Sequence, residues 1–86
     1  MYEFKCMKYV RNDKFIKLVG KKIQSIRKAQ KISQAQLSFE SGIRINQVGR
    51  IERGEINTSI STLIAIAEAL NTHVKELVDV DYRKNK

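Results

Sequence analysis

The chain has 86 residues, 42% hydrophobic and 30% charged, with a formal charge of +8, so a single small domain without a separate ligand-sensing one is expected. No apolar run approaches the roughly 20 residues of a membrane span, and the basic start lacks the apolar stretch and cleavage site of a signal peptide. A lone Cys6 excludes an internal disulfide, so a cytoplasmic protein is expected.

The positive charge is uneven. Residues 1–31 hold ten Lys/Arg against two Asp/Glu, while residues 32–58 and 59–86 are each balanced. Residues 1–12 read as a basic arm or strand. Asp13 is placed to cap a first helix, in which Phe15, Ile16, Val19, Ile23, Ile26 and Gln30 recur at helical spacing as one buried stripe. Lys14, Lys17, Lys21, Lys22 and Lys28 fall mostly off it, as a solvated face would require. Gly20 inside this helix costs about 1 kcal/mol relative to Ala, which a close helix crossing would explain.

Ser33 followed by Gln36 forms a capping box that opens a second helix near Gln34. Leu37 and Ser41, with the small Ala35 and Ser38, would face its neighbours, and Gly42 supplies the left-handed position that ends it. A third helix is predicted from about Ile45 to Arg53, with Val48, Ile51 and Glu52 inward and Gly54 closing it. Glu55 to Ser59 reads as a loop. Ser59 caps a fourth helix whose stripe is Ile60, Leu63, Ile64, Ala67 and Leu70; Asn71 ends it, and Thr72 or His73 opens a short fifth helix with Val74, Leu77 and Val78. The end beyond residue 80 reads as frayed. Yet Tyr2, Phe4 and Cys6 alternate with charged residues, as do Val78, Val80 and Tyr82, so the two ends also fit a pair of short strands. The alternative is a lead-in before the first helix and an extension of the fifth.

Two short helices joined through a glycine turn form a helix-turn-helix pattern, in which one helix braces another that projects to read DNA. The order GKKIQSIRKAQKIS, SQAQL, Gly42, IERG and SISTLIAIAEAL resembles the Cro and phage-repressor DNA-binding family, also called XRE-like, from about Phe15 to Leu77. The fold expected from that resemblance is all-α, a five-helix lambda-repressor-like domain over residues 13–78, with 79–86 as a tail. Among relatives of this architecture are restriction–modification controller proteins and small phage repressors.

The resemblance also implies roles. Gln34 matches a glutamine that bonds a phosphate and buttresses the recognition helix. Arg44, Ile45 and Asn46 match its base-facing start, and Arg50 a reader one turn later. Arg27 and Glu52 match an ion pair tying the first helix to the third, and Asn57 to Ser59 match a loop near the DNA backbone. Read from side-chain chemistry, Arg44, Asn46, Gln47 and Arg50 suit guanine and adenine edges, while the plain alternative is a solvated helix face. Gln34 is also an ordinary early-helix residue, and Glu52 could be an exposed helix-end acid. Thr58, where many relatives have proline, Ile45, Gly49 and Phe39 depart from the family pattern. Ile45 suits a thymine methyl, Gly49 would let the backbone approach DNA, and Phe39 falls on the outer side of the second helix.

The expected function is sequence-specific binding of double-stranded DNA as a homodimeric bacterial or phage-type regulator, associated with the nucleoid, on a roughly palindromic operator. An antitoxin-type autoregulator and a protein-interaction module on the same fold are the alternatives. One His and one Cys cannot build a zinc-finger site, and no catalytic set or phosphate-cradling glycine loop is present. No enzyme activity, cofactor, metal, small-molecule ligand or membrane is called for.

Overall fold

The computed structural model describes residues 10–82, which form α1 (Asp13–Ala29), α2 (Gln34–Ser41), α3 (Ile45–Glu52), α4 (Ile60–Ala69) and α5 (Val74–Leu77). The described residues contain no strand. Helix α3 packs on α1 and α2, α4 on α2 and α5, and α5 also touches α1. Every helix contributes to one core of Val19, Ile23, Leu37, Val48, Ile51, Ile66, Ala67, Leu70 and Leu77, with Phe15, Ile26, Ile43, Ile56 and Leu63 packed around it.

Side-chain caps start three of the helices. Ser33 accepts the Gln36 N–H and Ser59 accepts the Thr62 N–H, as the sequence predicts. At α1 the cap is Asn12 rather than Asp13: Asn12 is extended and its Oδ1 accepts the Phe15 N–H at 2.9 Å, while Asp13 lies in the first turn and pairs with Arg11 at 2.6 Å. The capping box of α2 is half formed, because the Gln36 amide bonds Glu40 one turn ahead at 3.0 Å.

Three helices end in Schellman turns, in which a left-handed residue lets two N–H groups turn back onto the last carbonyls. After α3 the left-handed residue is Gly54, φ 76°; the Gly54 N–H bonds the Ile51 carbonyl at 3.0 Å and the Glu55 N–H bonds the Arg50 carbonyl at 2.9 Å. After α4 it is Asn71, φ 56°, as the sequence predicts an end there. After α1 it is Lys31, φ 60°, a residue with no special tolerance for that conformation. Gly42, φ 79°, ends α2 in the expected way.

Helix α1 buries Val19, Gly20, Ile23 and Arg27. Gln30, expected on the buried stripe, is exposed, and its Nε2 reaches across to the Leu70 carbonyl at 2.7 Å. Gly20 marks a close crossing: a Cβ there would overlap the Ile51 carbonyl oxygen and lie 2.8 Å from that of Glu52. In α2 Leu37 is buried, whereas Ala35 is exposed rather than facing a neighbour.

Further expectations are corrected. The inner face of α4 is Ile66, Ala67 and Leu70, while Ile60 and Ile64 are exposed. Seven of its ten residues are apolar, so the spacing alone fits more than one rotation; packing against α2 and α5 selects the one that leaves Ser61 and Glu68 outward. Residues 78–82 form no strand, and residues 1–9, which carry the proposed partner strand, lie outside the described residues. Tyr82 is not frayed. Its ring meets Phe15 edge-on with centroids 5.6 Å apart, Lys14 Nζ lies 5.6 Å from its ring centre, and its hydroxyl accepts from Asn12 Nδ2 at 2.7 Å. Side-chain contact with the start of α1 thus replaces a backbone ladder.

Candidate nucleic-acid interface

Helix α3 separates its residues by period. Val48, Ile51 and Glu52 recur at three and four residues and are buried. Asn46 and Arg50, also four apart, are exposed, and Gln47 between them is half-buried. Arg44 is the N-cap residue, extended and exposed, and makes no side-chain cap bond. Arg44, Asn46, Gln47 and Arg50 line one shallow concavity together with Ile56 from the following loop. Ile45 is 50% exposed beside them.

The inner side of α3 is fixed by charge. Glu52, 3% exposed, receives Arg27 Nε on Oε2 at 2.6 Å and Arg27 Nη2 on Oε1 at 3.0 Å, a bidentate pair buried between α1 and α3. Gln34 Nε2 from the start of α2 donates to Oε1 at 2.9 Å, and Gln24 Nε2 from α1 approaches it at 3.5 Å. Arg27 Nη1 is satisfied by the Ile32 carbonyl at 2.7 Å. Among the described residues no buried side-chain nitrogen or oxygen lacks a partner. A buried charge is tolerated only under such conditions, and here the arrangement bolts α3 to both helices behind it.

Gln34 therefore directs its amide nitrogen to Glu52. Gly49 is buried, and a Cβ there would lie 3.1 Å from Arg53 Nη1 and 3.7 Å from Gln34 Oε1. Its missing side chain relieves a tight approach to the Arg53 guanidinium. In the loop Asn57 is exposed, while the Ser59 hydroxyl is engaged with Thr62 as the cap of α4. Phe39 projects from α2 at 88% exposure.

Sequence reasoning passed over Glu55. Its Oε2 accepts from Arg53 Nε at 2.7 Å, and its Oε1 lies 3.5 Å from Arg50 Nε. The bond from Arg53 holds the Glu55 carboxyl below its usual range, and the Arg53 and Arg50 charges act in the same direction. Because the folded value is lowered, the pair's contribution is present above the ordinary carboxylate range and is lost as pH falls from that range through the lowered value. Both groups are open to solvent, so that contribution to stability is small. Gly54 was the available signal, since a Schellman glycine returns the next residue onto the last turn of the helix.

A helix-turn-helix family model matches residues 23–77. The chain belongs to the XRE, phage-repressor-like helix-turn-helix family. It is 38% identical over 69 residues to the control protein C.SmaI of Serratia marcescens, an alignment covering 80% of this chain and 82% of that protein. It is 40% identical over 60 residues to the immunity repressor protein of Bacillus phage phi105, covering 70% of this chain and 42% of that one. Among solved structures it is similar to the restriction–modification controller protein C.AhdI from Aeromonas hydrophila, with a TM-score of 0.71, 33% identity, and coverage of 77% of this chain and 98% of that chain. Membership in this family makes the protein a DNA-binding regulator.

Proposed function

We propose that the protein is a sequence-specific transcriptional regulator that binds a roughly palindromic duplex operator as a homodimer, with α3 of each subunit in the major groove. The observation that carries this reading is the division of α3: a polar face of Arg44, Asn46, Gln47 and Arg50 opposite a face held by Glu52. A major groove admits one helix, and arginine and amide side chains match its donor and acceptor pattern. Asn46 and Arg50 read base edges, with Arg44 and Gln47 shared between bases and phosphates, and Ile45 meets a thymine methyl. Gln34, Asn57 and Ser59 lie at the phosphate flanks, where Gln34 also braces α3 through Glu52. The similarity to restriction–modification controller proteins supports a regulator of this size and build.

Selection of bound duplexes from a random pool, followed by sedimentation of the complex, tests the proposal. A two-fold symmetric consensus with two chains per duplex is expected, its half-sites about one helical turn apart. Enrichment of no sequence, or binding to duplex DNA with no salt dependence, would overturn it.

A further inference from the structure

Glu55 is an acid set among arginines on the edge of a face proposed to meet an anionic polymer. Its place there is fixed twice. The Schellman turn bonds the Glu55 N–H to the Arg50 carbonyl at 2.9 Å, which seats residue 55 over residue 50 whatever its side chain does. The carboxylate then takes Arg53 Nε at 2.7 Å and lies 3.5 Å from Arg50 Nε. Arg11 Nη2 donates to the Glu55 carbonyl oxygen at 3.3 Å, so the segment before α1 also holds this residue.

An arginine reads guanine best when its guanidinium plane is already set, because a free side chain loses rotamer entropy on binding. An ion-pair contact 3.5 Å from Nε biases that plane and leaves the two Nη groups available for a bidentate contact. The same carboxylate occupies Arg53, which would otherwise be free to bind any phosphate, and its own charge repels the backbone of any duplex. One effect raises discrimination, and the other lowers indiscriminate affinity.

We propose that Glu55 is a specificity-determining positioning residue: it sets Arg50 for base reading and withholds Arg53 from phosphates. This rests on the reading of α3 as the DNA-contacting helix. The two can fail separately in one experiment. A duplex selected from a random pool by the unaltered protein, and a shuffled duplex of the same length, are titrated with the parent, E55Q, R50A and the double variant. For E55Q, discrimination between the duplexes should fall about tenfold, while binding to the shuffled duplex strengthens and its salt slope steepens by about one unit. In the R50A background E55Q should change discrimination no further, and the unfolding temperature of E55Q should match the parent. If the parent selects a sequence and E55Q keeps its discrimination, the role of Glu55 is overturned and the reading of α3 stands. The role is also overturned if E55Q and R50A act additively, or if lost discrimination tracks lost stability. If the parent selects no sequence, both fall together.

Discussion

A carboxylate at 3% exposure is tolerable only while its charge is matched, and Glu52 draws that match from Arg27 on one helix and Gln34 on another. Glu52→Gln preserves the shape but places an amide against the Arg27 donors and leaves a buried guanidinium uncompensated. Breaking a buried pair in this way costs about 3 kcal/mol or more, so thermal unfolding should fall by about 10 °C or more. Arg50 stands in the opposite situation. It is exposed, so Arg50→Ala should leave unfolding unchanged, weaken binding to a selected duplex by about 1–3 kcal/mol and relax preference at one base pair per half-site. Equal losses on selected and shuffled duplexes would make Arg50 a phosphate contact. Both residues were legible in the sequence because they lie at helical spacing on opposite sides of a short segment. Glu55 was not, since its side chain meets Arg50 only once the chain has turned back at Gly54.

At the scale of elements, Gly20 sets helix propensity against packing. Gly20→Ala gains about 1 kcal/mol of propensity, but its Cβ would press on the carbonyls of Ile51 and Glu52, which are backbone and cannot rotate away. Overpacking of that kind costs about 1–3 kcal/mol. Net destabilisation is therefore expected, read as a lower urea midpoint, and an unchanged midpoint would mean that α1 and α3 separate easily. Lys31 is the reverse case. It holds φ 60° without the freedom of glycine, a strain of about 1 kcal/mol, so Lys31→Gly should raise the unfolding temperature by a few degrees. Nothing in the sequence marks Lys31 as left-handed, whereas Gly42, Gly54 and Asn71 carry that mark in their residue type. The phase of α4 was harder to read for a different reason: seven of its ten residues are apolar, and only Ser61 and Glu68, seven apart, mark its exposed side.

For the molecule as a whole, charge and DNA reading are separated along the chain. The excess of Lys and Arg lies in residues 1–31, ahead of both helices of the motif. Phosphate attraction depends on the number of cations at the duplex, and each lost contact lowers the salt slope by roughly one unit. A chain lacking residues 1–9, which include Lys5 and Lys8, should bind a shuffled duplex with a shallower slope and keep its base preference. An unchanged slope would show that these lysines take no part. Beyond α5, Tyr82 meets Asn12, Lys14 and Phe15 at the start of α1.

Local chemistry was enough to place α1 to α5 and to settle their order, because caps, left-handed glycines and apolar spacing each act within a few residues. It was also enough to indicate the family, whose pattern is spread over short segments in a fixed order. What needed the folded chain were contacts between residues distant in sequence. Gln24 joins the Glu52 cluster from 28 residues away, Gln30 bonds a carbonyl 40 residues on, and Tyr82 closes on Asn12 across 70 residues. The alternation of Val78, Val80 and Tyr82 looked like a strand because period-two spacing records only which side chains seek burial. Which surface they meet is decided by what packs nearby: Tyr82 keeps 37% exposure and contacts the edge of the Phe15 ring, and Val78 stays exposed.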